Sequence, residues 1–253
     1  MLGGHHTGRD YADAITARQS DRRARSAFQN LVLKMARPGG AIFDFGAGPG
    51  IDARFYADRG LTVEAYDVDP AMREYFSVHC RDYIQAGKII LHGGTYREFL
   101  ERDAGSRGYE VDLVTANFAP LNLVDDLPDL FAKLHVLTGR DGIVLASVLS
   151  PYFVGDLKYG WWWRNALRLW RDGHFSVLSH QGGIIRRRLA DFAAQCSPYF
   201  TLERVYRGLP SSGEPCPRGV ELARTGRYAW IRVATCRFMI LQFKKRAAAT
   251  VGE

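Results

Sequence analysis

Between residues 41 and 149 short apolar runs alternate with amphipathic stretches, and this alternation restricts the fold more than any other feature of the chain. AIFDF, LTVEAYDV, KIILH, YEVDLVTANF and GIVLASVLS read as strands. IDARFYADR, the segment from Pro70 to about Ala86, YREFLERD and DDLPDLFAKLHVLT carry the apolar spacing of helices. Strand and helix in series with short links imply α/β architecture, a doubly wound, mostly parallel sheet with helices on both faces. Ahead of it, Asp10 to Met35 reads as one helix with Tyr11, Ile15, Phe28, Leu31, Val32 and Met35 on its apolar side, stopped by Pro38, Gly39 and Gly40.

After Pro151 the rhythm breaks. Residues 151–185 are expected to form an inserted helical, aromatic cap. A helix at IIRRRLADFAAQC, a strand at YFTLERVYRGL, a Pro/Gly-rich loop over residues 210–219 and a strand at ATCRFMILQFKK then complete seven strands. The expected plan is an N-terminal helical lid (1–40), a ligand-binding core (41–150), the cap (151–185) and a C-terminal completion of the sheet (186–253).

In such a sheet the ligand lies beyond the carboxyl ends of the strands, at the first strand-to-helix turn. Here that turn is FDFGAGPG, residues 43–50, with Gly46, Ala47, Gly48 and Gly50 forming the loop. A dinucleotide fingerprint is G-x-G-x-x-G, whereas this spacing is G-x-G-x-G and Ile51 stands in place of the last dinucleotide glycine. A pyrophosphate there would also lie near the Asp44 carboxylate, which would repel it. S-adenosylmethionine (SAM) instead brings an ammonium and a sulfonium, for which an acid is attractive. Asp67 ends the second strand and suits a carboxylate accepting both ribose hydroxyls, leaving Val68 to pack on the adenine. Thr95 and Tyr96 follow the third strand, where many such sites carry an acid facing the adenine amino group; Thr95 accepts that bond less strongly.

FDFGAGPG, YDVDP and VDLVTANFAPLN together resemble the glycine motif, ribose acid and fourth strand of class I SAM-dependent methyltransferases, over residues 41 to about 149. The NFAPLN and RNALRLWRDG stretches look like bacterial small-metabolite members. The resemblance implies a methyl transfer from SAM by in-line displacement, with S-adenosylhomocysteine as product and no metal. It implies that Asn117 hydrogen-bonds the methionyl part of SAM or orients the acceptor, that Phe118 flanks the sulfonium, and that Tyr11 closes over the SAM carboxylate or simply packs.

The acceptor side is less legible. His174 and His180 are the candidates for a catalytic general base, with His135 a poorer one, and a base is needed only for a hydroxyl acceptor. Tyr152, Tyr159 and Trp163 are candidates for the substrate pocket. In WWWRNALRLWR the tryptophans wall a pocket for a hydrophobic acceptor, lie on a membrane surface with arginines at headgroups, or pack Trp163, Leu167 and Trp170 on the sheet; packing and pocket wall come first.

Charge divides the chain: residues 1–150 hold 17 lysines and arginines against 20 aspartates and glutamates, and residues 151–253 hold 17 against 7. The basic half admits a nucleic acid partner, though Arg186, Arg187 and Arg188 also read as a solvated helix face. NFAP lacks the second proline and stacking aromatic of NPPY-type sequences that methylate extruded bases. A small-molecule, lipid-like or carrier-bound anionic acceptor accounts for the same charge. Two other readings stay open, a nucleic-acid methyltransferase and a catalytically silent SAM-binding module. The four cysteines form no CxxC pair, which predicts buried free thiols. No window of about 18 uncharged apolar residues occurs and no signal-like stretch opens the chain, so the expected location is cytoplasmic.

Overall fold

The computed structural model describes residues 8–103, 110–179, 182–207, 220–221 and 234–246. The chain divides into two compact units, Met1–Asn117 and Phe118–Glu253.

The first unit contains α1 (Gly8–Ala17), α2 (Gln19–Met35), β1 (Ala41–Phe45), α3 (Ile51–Ala57), β2 (Thr62–Tyr66), α4 (Pro70–His79), α5 (Arg81–Gln85), β3 (Ile89–His92), α6 (Tyr96–Glu101) and β4 (Val111–Ala116). Its strands run in the order β3-β2-β1-β4, all parallel. The central strands are buried almost continuously, as parallel strands covered on both faces must be. Beside them Phe43, Phe45, Tyr66 and Phe99 stack with ring centroids 4.5–5.8 Å apart.

Two predicted helices are each divided. The stretch from Asp10 to Met35 breaks at Arg18, which is extended. The two pieces serve different neighbours: α1 lies so close to α4 that a Cβ on Gly8 would come within 2.6 Å of the Ala71 carbonyl, while α2 buries Phe28 and Val32 and packs on α3. A single straight helix cannot do both. The helix from Pro70 likewise ends at His79, because buried Cys80 turns inward to donate its thiol to the Gly50 carbonyl, and α5 then restarts on the surface.

The second unit contains α7 (Leu127–Leu137), β5 (Thr138–Leu149), α8 (Gly160–Asp172), β6 (His174–Ser179), β7 (Gly182–Arg187), α9 (Leu189–Gln195), β8 (Phe200–Arg207), β9 (Val220–Glu221) and β10 (Phe238–Lys245). β10 pairs antiparallel with both β5 and β8, so those two point the same way and β10 is the reversed strand between them. Phe131 on α7 meets Phe200 and Phe243 at 5.7 and 5.0 Å to anchor this half of the core. The chain is thus the expected mostly parallel α/β fold of seven strands, extended by the two-residue β9.

The cap region differs from expectation. β6 and β7 form a hairpin, and Ile184–Arg187, predicted to open a helix, are strand. Ile185 and Arg187 alternate inward on it, and α9 begins only at Leu189, where Asp191 accepts the Arg188 backbone N–H. The arginine run is therefore not a solvated helix face. Arg187 is only 2% exposed and donates to the carbonyls of Leu121, Val124 and Asp125 at 3.2, 2.6 and 2.9 Å. Arg186 donates to the Ser150 carbonyl and the Asp156 carboxylate and lies over the Trp161 ring. Asn122, wholly buried, completes the clamp by donating to the Ile185 carbonyl and accepting from the Leu149 N–H.

Replacing Arg187 by methionine leaves three carbonyls facing an apolar stem, and the expected loss is about 3 kcal/mol. Urea unfolding should show it as a lower midpoint with unchanged slope; a loss below about 1 kcal/mol would mean that the carbonyls find other donors.

α8 also corrects an expectation. Leu169 is buried and Trp161 packs on Phe175, but Trp163, Leu167 and Trp170 are 62%, 66% and 76% exposed and do not pack on the sheet. The helix seats its Trp161–Leu169 side inward, which turns the Trp163 stripe outward. Cys80, Cys196 and Cys236 are buried free thiols, as predicted, and Cys216 lies outside the described residues, as does the 210–219 loop. Among the described residues no helix is long and apolar enough to cross a membrane.

Candidate functional site

The β1–α3 turn uses three glycines in left-handed conformation, Gly46, Gly48 and Gly50 at φ 69°, 56° and 82°. They are needed for different reasons. A Cβ on Gly50 would sit 2.7 Å from the Phe76 ring and 2.9 Å from the Cys80 sulfur, so this residue lets α3 close onto α4. A Cβ on Gly48 would meet nothing within 4 Å, so here the loop backbone is open to a ligand. Gly46 and Ala47 both donate to the Tyr66 carbonyl, at 2.8 and 3.0 Å, which ties the turn to the end of β2.

Asp67 follows that strand end. Its Oδ2 accepts the Gly48 N–H at 2.7 Å and its Oδ1 the Asp69 N–H at 2.8 Å. Each oxygen keeps a second lone pair, so the carboxylate can still accept two hydroxyls. Burial raises its pKa, opposed by the two backbone donors. Arg73 holds the carbonyls of Asp67 and Val68, and the Val68 side chain stands exposed beside them.

Asp44 lies opposite Ala65 and Thr115 in the sheet. Thr115 donates to its Oδ1 at 2.7 Å, whereas Oδ2 is buried with no hydrogen-bond partner among the described residues. Burial, then the neighbouring Asp52 charge, pushes the Asp44 carboxyl up to about 7. A buried half-satisfied carboxylate calls for a cationic partner, and the SAM ammonium has that chemistry. The open Gly48 backbone, this orphaned oxygen and the spare acceptors of Asp67 all fit SAM.

Asp52, on the first turn of α3, escaped the sequence reading. It is buried, ion-paired to Arg25 of α2, and accepts from Gln29 at 2.7 Å and from the Asn117 side chain at 3.1 Å. The network ties α2 to the start of α3 and the end of β4. The available signal was a lone carboxylate on a helix whose other inward residues, Ala53, Tyr56 and Ala57, are apolar.

The remaining predicted residues divide. Thr95 is the N-cap of α6, with its hydroxyl accepting from the Glu98 N–H and its own N–H donating to the Glu98 carboxylate. Tyr96 packs edge-on against Phe45. Tyr11 lies on α1. Phe118 and Ala119 are non-glycine residues at φ 62° and 72°, a conformation costing about 1–3 kcal/mol each and found where function demands it.

In the second unit the Tyr152 hydroxyl accepts the Leu189 N–H, and burial pushes its pKa up to about 12. Tyr159 is exposed and stacks on Trp161 at 6.2 Å. Trp163 donates its indole N–H to the Leu157 carbonyl at 2.7 Å. His174 is exposed, with Nδ1 3.1 Å from the Asp172 carbonyl. That carbonyl only accepts, so Nδ1 carries the hydrogen and the lone pair of the neutral ring is on Nε2. His180 lies outside the described residues. Among the described residues no group of three or more His, Cys, Asp or Glu is placed to hold a metal.

Comparisons with known proteins find the same fold. The 1,6-didemethyltoxoflavin-N1-methyltransferase of Burkholderia thailandensis, solved with 1,6-didemethyltoxoflavin and S-adenosylhomocysteine bound, is 17% identical, with 94% of this chain and 83% of that one aligned at TM-score 0.59. An S-adenosylmethionine-dependent methyltransferase from Mesorhizobium loti is 14% identical, covering 86% and 97% at 0.57. The CcbJ methyltransferase of Streptomyces caelestis is 15% identical, covering 91% and 90% at 0.58. No curated protein matches the chain. A family model described as a methyltransferase domain matches residues 16–192. With most of its length so matched, the chain belongs to the methyltransferase-domain family and is a class I SAM-dependent methyltransferase.

Proposed function

We propose that the chain methylates a small, hydrophobic or anionic metabolite. SAM supplies a methyl group on a sulfonium, transferred by in-line displacement to a nucleophile that the protein must align and keep dry. Asp44 faces the ammonium; Asp67 takes the ribose hydroxyls; Val68 lies against the adenine, with Thr95 and Tyr96 at its rim. Asn117 and Phe118 bound the methionyl end, and Tyr11 closes over the SAM carboxylate. Acceptor contacts fall to the second unit, through Tyr152 and Tyr159, with Nε2 of His174 as a base for a hydroxyl acceptor; Trp163, expected there too, points outward on α8.

The arginine run carries the choice of acceptor class. Arg186, Arg187 and Arg188 donate to carbonyls and carboxylates of the protein itself, so three of the 17 basic residues of that half are engaged within the protein rather than offered to a nucleic acid backbone. The Burkholderia enzyme, solved with 1,6-didemethyltoxoflavin bound, supports the same reading. Incubating methyl-labelled SAM and the enzyme with fractionated cell extract should place the label in the low-molecular-weight fraction. Label in RNA or DNA would overturn the reading, and none in any fraction would favour a silent SAM-binding module.

A further inference from the structure

α8 presents two different edges to solvent. Advancing about 100° per residue, Trp163, Leu167 and Trp170 fall within about 60° of one another, and Arg164, Arg168 and Arg171 occupy the adjoining arc. All six are exposed, and the three large apolar side chains are exposed by more than half. The packed side of the helix is already satisfied by Leu169 and by Trp161 against Phe175. The outer stripe therefore contributes nothing to the core, and a contiguous apolar row this exposed marks an interaction surface.

We propose that α8 is a membrane-contact helix that lays Trp163, Leu167 and Trp170 into the headgroup boundary of an anionic bilayer, with its arginines on lipid phosphates. The charge selects this occupant: the helix holds three arginines against one acid, Asp172, within a half of the chain that carries 17 basic residues against 7 acidic ones. Indole rings favour the boundary between acyl chains and headgroups, and arginine reaches phosphate from the same depth. With 13 residues the helix is about 20 Å long, too short to span, so it lies flat.

Flotation of the full chain with vesicles tests this. The protein should float with vesicles of phosphatidylcholine mixed with phosphatidylglycerol, far less with phosphatidylcholine alone, and less as salt rises. The double substitution Leu167→Gln/Trp170→Gln, which touches no buried contact, should lower the bound fraction at least about tenfold while S-adenosylhomocysteine binding stays at the wild-type value. Arg164→Gln/Arg168→Gln should erase the preference for the anionic lipid. The proposal fails if neither vesicle floats the protein at low salt, or if the apolar variant floats as well as wild type. It also fails if α8 instead mediates dimerisation, or binding to an acidic carrier protein, that the apolar variant abolishes without vesicles.

Discussion

S-adenosylhomocysteine is expected to bind about a hundredfold more weakly at about pH 5 than at about pH 8, and Asp44→Asn is expected to remove that dependence. In the ligand-free protein burial, and then the neighbouring Asp52 charge, pushes the Asp44 carboxyl up to about 7. On the proposed cofactor reading the ligand ammonium faces this carboxylate, so binding should lower its pKa and release a proton. Affinity is therefore fully present above about 7 and falls by about tenfold per unit below it. For folding the sign is opposite to that of a salt-bridged aspartate. Ionised Asp44 is worse off in the fold than in the open chain, so ligand-free stability is lost as pH rises from about 4 through about 7. The asparagine variant should gain melting temperature relative to wild type on the alkaline side only. Calorimetric titration over this range checks the first statement; a flat wild-type profile would place the ammonium elsewhere.

The second large effect separates two glycines that look alike in FDFGAGPG. Gly50→Ala forces a left-handed alanine whose Cβ overlaps the Phe76 ring and the Cys80 sulfur, and the expected loss of stability is about 3 kcal/mol. Gly48→Ala meets no protein atom, so it should lose only about 1 kcal/mol of stability yet weaken S-adenosylhomocysteine binding severely, because the new methyl occupies the ligand's side of the loop. Thermal unfolding and calorimetry on the two variants should show opposite orders of damage. Equal loss of stability would mean that Gly48 packs against protein after all.

How far the sequence led depended on range. The βα series and the ligand turn were legible because both are local: strand, glycine spacing and helix start lie within a few residues. Asp52 was not, since its partners Arg25, Gln29 and Asn117 lie 27, 23 and 65 residues away. Ile184–Arg187 was misread because a short apolar run followed by arginines suits a helix or a buried strand, and only the hairpin partner, residues 174–177, decides. Periodicity also showed that α8 has two faces without saying which one faces the protein. The arginine run looked solvated for a similar reason: nothing local reveals that three carbonyls around Leu121–Asp125 await Arg187.

On the proposed cofactor reading Asp67 has a double employment with a kinetic consequence. Its oxygens already hold the N–H groups of Gly48 and Asp69, so the loop has its binding shape before the cofactor arrives. Little ordering entropy is then left to be lost on association, and no loop rearrangement need precede the encounter.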